Sequence, residues 1–163
     1  MSAEFTIRAA DHADLPAIVE LAVEYVVKSR SPLRPEVTDG VVRAFRRDNF
    51  EHLSMILDVP EGGLFLAEDA DGKYIGHILL LVNQTDTVSG VRQAWVYDVT
   101  VREEWWGKGI GRALMARGEL FAREAGHVYI GLGVTSANQR AVEFYRELGY
   151  EVERIQMLKR LDK

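Results

Sequence analysis

The chain has 163 residues, of which 47% are hydrophobic and 28% charged, so it holds enough apolar sequence for the core of one domain. It has no cysteine, which excludes disulfides, thiolate metal sites and a cysteine nucleophile. Its net charge of −5, without a long basic run, argues against nucleic-acid binding. The N-terminus lacks signal-peptide features, the longest apolar run is residues 78–82, and the histidines have no metal-ligand spacing. We therefore expect a single cytoplasmic domain over residues 1–163, with no metal and no membrane association.

The first half of the chain predicts a strand, two helices and a hairpin. In order, these are a strand at residues 5–9, a helix capped by Asp11, a helix at 39–57, and strands at 64–68 and 74–82. Asp71 followed by Gly72 is typical of a tight hairpin turn between those two strands.

The second half of the chain predicts alternating strands and helices. They are a strand at residues 93–101, a helix at 109–125, a strand at 128–134, a helix at 137–148 and a strand at 150–161. The full order is βααβββαβαβ. Strands in antiparallel succession followed by a strand–helix–strand crossover predict an α/β fold, with a mixed sheet covered by helices on both faces.

The segment between the strand at 93–101 and the next helix predicts an anion-binding loop. Residues 104–114 read EWWGKGIGRAL, with glycines at 107, 109 and 111. A helix start leaves backbone N–H groups without partners, and its dipole end is positive. Glycines let an anion approach those N–H groups closely, and Lys108 and Arg112 add positive charge. The loop is therefore suited to hold phosphate.

The spacing of this loop separates it from two common nucleotide-binding motifs. A P-loop needs Ser or Thr directly after its lysine, whereas Lys108 is followed by Gly109. A dinucleotide fingerprint needs the spacing Gly-x-Gly-x-x-Gly, which is absent. A glycine-rich helix start with no ligand remains the structural alternative.

A second motif covers residues 138–150, which read NQRAVEFYRELGY. Asn138, Ala141 and Tyr145 are spaced to share one helix face. Asn138 stands where its side chain either caps the helix or reaches a ligand. Taken alone, Tyr145 predicts a packed tyrosine with a hydrogen-bonded hydroxyl.

Together the two motifs resemble the GNAT superfamily of acetyl-CoA-dependent N-acetyltransferases. That family has Gln/Arg-x-x-Gly-x-Gly/Ala at a helix start. Residues 106–111 occupy those places, with Trp106 at the position that the family fills with Gln or Arg. Its second motif, roughly Asn-x-x-Ala-x-x-Phe-Tyr-x-x-x-Gly-Phe/Tyr, is matched by residues 138–150. The resemblance covers nearly the whole chain and implies the GNAT-like fold.

The resemblance implies acetyl-CoA as co-substrate and assigns residues to hold it. They are Val99, Thr100, Val101, Trp106, Gly107, Lys108, Gly109, Ile110, Gly111, Arg112 and Asn138. A backbone amide near Val99 would polarise the thioester carbonyl. Because Trp106 replaces the family's Gln or Arg, Lys108 and Arg112 must supply the charge that faces the phosphates.

The resemblance also implies the proton-transfer groups. Tyr145 matches the family's general acid, which protonates the leaving CoA thiolate. The family's common basic Glu falls at Gln93, which cannot act as a base. Asp98 is the candidate base, because an unpaired carboxylate in an apolar strand is costly and is either functional or held by structural hydrogen bonds. Water-mediated deprotonation is a third option, and Tyr97 points to the opposite side of the strand from Asp98.

The expected function is therefore acetyl transfer from acetyl-CoA to a primary amine, on a small molecule or a peptide, through a ternary complex. The expected partner is this amine acceptor, with a homodimer as a possible assembly. A GNAT-like CoA sensor with little turnover is the alternative that Trp106 and Gln93 motivate. A nucleotide binder other than a CoA protein, using the same glycine loop, is the other.

Overall fold

The computed structural model describes residues 4–162 and contains one five-stranded sheet with helices on both faces. The strands are β1 (Phe5–Ala9), β2 (Gly62–Asp69), β3 (Tyr74–Thr85), β4 (Arg92–Val101) and β5 (Ile130–Leu132). The helices are α1 (Leu15–Tyr25), α2 (Asp39–Phe50), α3 (Ser54–Leu57), α4 (Ile110–Glu124) and α5 (Gln139–Glu147). The predicted α/β class is confirmed.

Sheet order follows chain order. Strands β1 to β4 are antiparallel to their neighbours, and β5 lies parallel to β4, as expected for a strand that follows a helical crossover. One core cluster lies between the sheet and α4, around Ile78, Leu80 and Leu114. A second lies on the opposite face under α1 and α2, around Ile18, Leu66 and Leu79. Both faces of the sheet are therefore covered.

The predicted cap of the first helical segment is confirmed, and the second predicted helix is interrupted. Asp11 Oδ1 accepts a hydrogen bond from the Ala13 N–H at 2.7 Å, at the start of a short 3₁₀ turn that leads into α1. The predicted helix at 39–57 is divided into α2 and α3. Phe50 and Leu53 are both buried where the chain turns between them, and their burial fixes this turn.

The predicted strand at residues 150–161 is wrong. None of residues 151–162 pairs with the sheet, and all of them are exposed, including Ile155 and Met157. An alternating sequence makes a strand only where a partner supplies a hydrogen-bonded ladder. At this edge of the sheet, β5 has only three residues.

Two irregularities in β4 shape the edge of the sheet. Asp98 pairs with Leu79 while Val96 pairs with Leu80, so Tyr97 is an extra, bulged residue. β5 pairs with β4 only as far as Val96, and β4 continues alone to Val101. The strands diverge beyond that point and leave the end of β4 open on one side.

Within residues 4–162, no helix is long and apolar enough to cross a bilayer. In the same part of the chain, no group of His, Cys, Asp and Glu is arranged to hold a metal ion.

Candidate active site

A cavity of about 480 Å³ lies where β4 extends past β5, between the loop before α4 and the face of α5. The structure gathers nearly all of the residues assigned from the sequence around it. Those that line the cavity are Asp98, Val99, Thr100, Val101, Trp106, Gly107, Gly109, Ile110, Gly111, Arg112, Asn138 and Tyr145. Lys108 is the assigned residue that does not line the cavity, and its ammonium lies over the Trp105 ring, 4.6 Å from the centroid.

The glycine loop exposes the start of α4 to this cavity. Gly107 and Gly109 have φ of +75° and +86°, which side chains disfavour, and Gly109 is the residue that precedes the first turn of α4. A Cβ atom built on either glycine would meet no other atom within 4 Å. The N–H groups of the first turn therefore border open space, in the geometry that binds anions at a helix start.

Gly111 has a different role from its two neighbours. A Cβ on Gly111 would lie 3.2 Å from Phe144 Cζ, which is tighter than an ordinary contact. Its missing side chain lets Phe144 of α5 approach α4 closely. Although Gly111 lines the cavity, its missing side chain serves the packing between these two helices.

Two cationic side chains from other elements lie against the Trp106 ring. The Arg140 guanidinium of α5 lies 3.5 Å from the Trp106 ring centroid, and the Lys28 ammonium lies 5.2 Å from a ring centroid of the same residue. Trp106 is held in place because its Nε1–H donates to the Val101 carbonyl at 2.7 Å. Both cations line the cavity. The Lys28 ammonium is also paired with the Glu103 carboxylate, so Arg140 is the cation of the two that brings net positive charge to the loop.

Tyr145 presents its hydroxyl to the cavity from α5. The ring packs beside Phe144 and Tyr150, with centroids 5.3 and 6.0 Å away. The hydroxyl makes no hydrogen bond to any residue of the described chain, unlike the satisfied hydroxyl expected for a purely structural tyrosine. Burial, with the nearby charge of Asp98, raises the pKa of Tyr145 to about 12, so the phenol is protonated at neutral pH.

Asp98 is held from inside the sheet and faces the cavity. Its Oδ2 accepts from His77 Nε2 at 2.7 Å, and His77 Nδ1 lies 2.6 Å from the Tyr74 hydroxyl. Since a carboxylate oxygen accepts, His77 Nε2–H is the donor in its hydrogen bond to Asp98. His77 is completely buried, and burial raises the pKa of Tyr74 above its usual range. Asp98 thus has a structural partner for Oδ2, and Oδ1 is directed elsewhere.

Asn138, Gln93 and Tyr97 differ in their position relative to the cavity and in the contacts that they make. Asn138 caps α5, because its Oδ1 accepts from the Ala141 N–H at 3.3 Å. Gln93 pairs with Gln84 in the ladder and does not line the cavity. Tyr97 is about half exposed and donates to the Gln84 side chain at 3.1 Å, so Asp98 is the member of that pair at the cavity.

Sequence reasoning assigned no role to several polar or aromatic residues that line the cavity, among them Tyr25, Lys28, Ser29, Arg46 and Arg140. Four of them come from the α1–α2 region, which carries no motif. Arg140 lies inside the second motif, two residues after Asn138, and this position near the start of α5 could have indicated that it lies close to the site.

Comparison with known proteins identifies the family. Residues 24–150 match the model of the acetyltransferase (GNAT) family, and the chain belongs to that family. An aminoglycoside N(6')-acetyltransferase type 1 of Stenotrophomonas maltophilia is 31% identical over 110 residues, which are 64% of this chain and 69% of that protein. An uncharacterized N-acetyltransferase of Methanocaldococcus jannaschii is 30% identical over 95 residues, 58% of this chain.

The match to solved structures extends over nearly the whole chain. A Pyrococcus furiosus structure provisionally assigned as an acetyl transferase has a TM-score of 0.79 and 30% identity, covering 97% of this chain and 100% of that one. The chain spans less than half the length of several curated relatives, including 42% of the Methanocaldococcus jannaschii protein and 28% of a Propionibacterium freudenreichii mycothiol acetyltransferase.

Proposed function

We propose that this chain is a single acetyl-CoA-dependent N-acetyltransferase domain that transfers the acetyl group directly to a primary amine. The observation that carries the proposal is one continuous cavity with an anion cradle at the glycine loop and an unpartnered tyrosine hydroxyl beside a carboxylate. Family membership supports this reading of the cavity.

The residues at the glycine loop fit the phosphates of acetyl-CoA. The space beside Gly107 and Gly109 is open, and the N–H groups at the start of α4 border it. Arg140, placed on Trp106, supplies the positive charge that the family's Gln or Arg would otherwise contribute, and Lys28 lies on the same ring while it is paired with Glu103. Arg112 adds further charge beside its partner Glu147, 3.7 Å away. The substitution at Trp106 is therefore compatible with phosphate binding.

The unpaired end of β4 suits the rest of the co-substrate. Residues Val99 to Val101 have no strand neighbour on the β5 side. The Val101 carbonyl accepts from Trp106 Nε1, and the backbone groups of Val99 are left for an extended ligand. When bound there, acetyl-CoA supplies an activated acetyl group as a thioester. A backbone N–H near Val99 would donate to the developing oxyanion.

The protein's side chains supply the two proton transfers. As the amine nitrogen bonds to the acetyl carbon, the carbon–sulfur bond breaks, the amine loses a proton and the sulfur gains one. Asp98 accepts the amine's proton, directly or through a water molecule, and Tyr145 donates to the sulfur. No protein residue needs to be acylated, because alignment of the two reactants supplies much of the acceleration.

We further propose that the protein acts in the cytoplasm on an amine acceptor, without nucleic acid or membrane as a partner, and that a homodimer is a candidate assembly. The net charge of −5 supports the absence of nucleic-acid binding.

The test combines binding and turnover. Isothermal titration with acetyl-CoA, ATP and NAD measures which ligand the loop accepts, and CoA release is then followed with a panel of amines. Of the three ligands, we expect only acetyl-CoA to bind. We also expect CoA release to require an amine and mass spectrometry to detect no acetylated protein. Binding without release for any amine would instead favour the sensor function, and binding of ATP or NAD alone would reject both.

A further inference from the structure

The charge that lines the cavity differs from that of the chain as a whole. The chain carries −5, yet the charged side chains around the cavity are Lys28, Arg46, Arg112, Arg140, Asp98 and Glu147, which sum to +2. Three of the four cations border the glycine loop or α5, where phosphate charge is expected. Arg46 comes from α2, on the other side of Asp98, and the binding of phosphates at the loop does not account for it.

Arg46 is a partly desolvated cation with unused donors. Its side chain is 23% exposed and its guanidinium lies over Phe50, 5.1 Å from the ring centroid. The nearest acidic atom is Asp98 Oδ1 at 3.8 Å, which is longer than a hydrogen bond. Within residues 4–162 its guanidinium makes no hydrogen bond, although it carries five N–H donors. Such a group beside a cavity is suited to bind an anion.

We propose that the acetyl acceptor is an amino acid, with its carboxylate on Arg46 and its α- or β-amine at Asp98. This inference rests on the proposed function and names its substrate class. Asp98 Oδ2 is taken by His77, so Oδ1 is the oxygen left to meet an amine, and it lies beside Arg46.

The distance between these two groups limits the acceptor. Asp98 Oδ1 and Arg46 Nη1 are 3.8 Å apart. Where the two hydrogen bonds, each of about 2.9 Å, run side by side from this pair into the cavity, the amine nitrogen and the anionic oxygen lie about 4 Å apart. An α- or β-amino acid has that spacing, whereas an amine separated from its anion by most of a sugar ring does not. The positive charge of Arg46 also favours the neutral, nucleophilic form of the amine.

Matched substrate pairs test the proposal. We would measure kcat/KM for phenylalanine against phenethylamine and β-alanine against ethylamine, with O-phosphoethanolamine against ethanolamine as the phosphate arm. The wild-type protein is expected to prefer each amino acid by about 10- to 100-fold, as for hydrogen bonds to a charged group. Arg46→Gln should abolish that preference, and Arg46→Lys should restore part of it. Because each pair is compared across variants, differences in intrinsic amine reactivity cancel.

The control removes the same charge from the same helix. Arg43 is exposed one turn earlier on α2 and does not line the cavity, so Arg43→Gln should keep the wild-type preference. Acetyl-CoA affinity, measured by titration for every variant, should be unchanged by Arg46→Gln.

Every other result decides against the proposal in a distinct way. Acetylation of the amines without a carboxylate preference, or a preference that survives Arg46→Gln, overturns the amino-acid assignment and leaves the proposed function intact. A preference for O-phosphoethanolamine alone replaces carboxylate by phosphate as the anion. Binding of acetyl-CoA without transfer to any pair rejects the amino acid, and loss of acetyl-CoA binding as well rejects the proposed function.

Discussion

Substituting Gly109 by Asp tests the phosphate cradle directly. Gly109 precedes α4 with φ of +86°, and a Cβ there would meet no atom within 4 Å. The protein therefore has room for the new side chain, and its folding cost is that of a left-handed conformation, about 1 to 2 kcal/mol. We expect Gly109→Asp to fold with a lowered Tm.

The effect on acetyl-CoA binding is expected to be much larger than the effect on folding. The new carboxylate occupies the open space in which phosphate would lie. Two unit charges of like sign about 4 Å apart repel by about 4 kcal/mol at an effective dielectric constant of 20. Since each 1.4 kcal/mol is about tenfold in Kd, the affinity should fall about 1,000-fold. Gly109→Asn has the same shape and φ without the charge, so it isolates the electrostatic part.

Isothermal titration of acetyl-CoA into the two variants provides the measurement. The control is Gly126→Asp, at the opposite end of α4, where φ is +84° and a Cβ also meets nothing within 4 Å. It should lower Tm and leave the Kd for acetyl-CoA unchanged. A folded Gly109→Asp with wild-type affinity, or equal losses in both Asp variants, would refute the placement of phosphate at this loop.

Three further predictions concern protons. Tyr145→Phe should lower kcat about 100- to 10,000-fold and leave the affinity for acetyl-CoA intact. Because the pKa of Tyr145 is raised to about 12, the wild-type rate should show no loss from this group as pH rises from 7 to 10. A kcat of the variant within a few-fold of wild type would show that Tyr145 is structural. Asp98→Asn should fold and lose rate chiefly at lower pH, where fewer acceptor amines are already neutral; a lower Tm with an unchanged rate per folded molecule would show a purely structural Asp98. The Arg154 guanidinium lies 2.5 Å from Asp86 and holds the pKa of that carboxyl well below its usual range. This pair therefore stabilises the fold above the unfolded pKa of about 3.9 and loses its contribution as pH falls. The Tm advantage of the wild type over Arg154→Gln should shrink on acidification, and an advantage that is the same at every pH contradicts the assignment.

The parts of the site that the sequence predicted are those encoded within one short segment. The glycine loop and the α5 motif each carry their chemistry within about a dozen residues, because a helix start and a helix face are local structures. Lys28 and Arg46 reach the cavity only through the packing of α1 and α2 on the sheet. No local pattern distinguishes them from solvated surface charges.

The errors in the predicted fold have the same origin. Alternation at residues 150–161 predicts a strand, yet strand formation depends on a partner that a single sequence does not specify. The loop also shows that identical residues differ in role. Gly109 has a positive φ beside open space, whereas Gly111 provides room for Phe144, and only the packed structure separates these roles.

The bulge in β4 is the irregularity that makes Asp98 usable as a functional group. In a regular strand, Asp98 and Val96 would share a face, because side chains alternate with a period of two. Val96 pairs with Leu80 and packs toward α4, so a carboxylate on that face would be buried in an apolar core without a partner. The extra residue in β4 instead pairs Asp98 with Leu79, on the face that holds His77 and the helix carrying Arg46. Because of this one inserted residue, the Asp98 carboxylate is hydrogen-bonded at the mouth of the cavity and is not buried without a partner in the apolar core. Bulges occur frequently beside active sites.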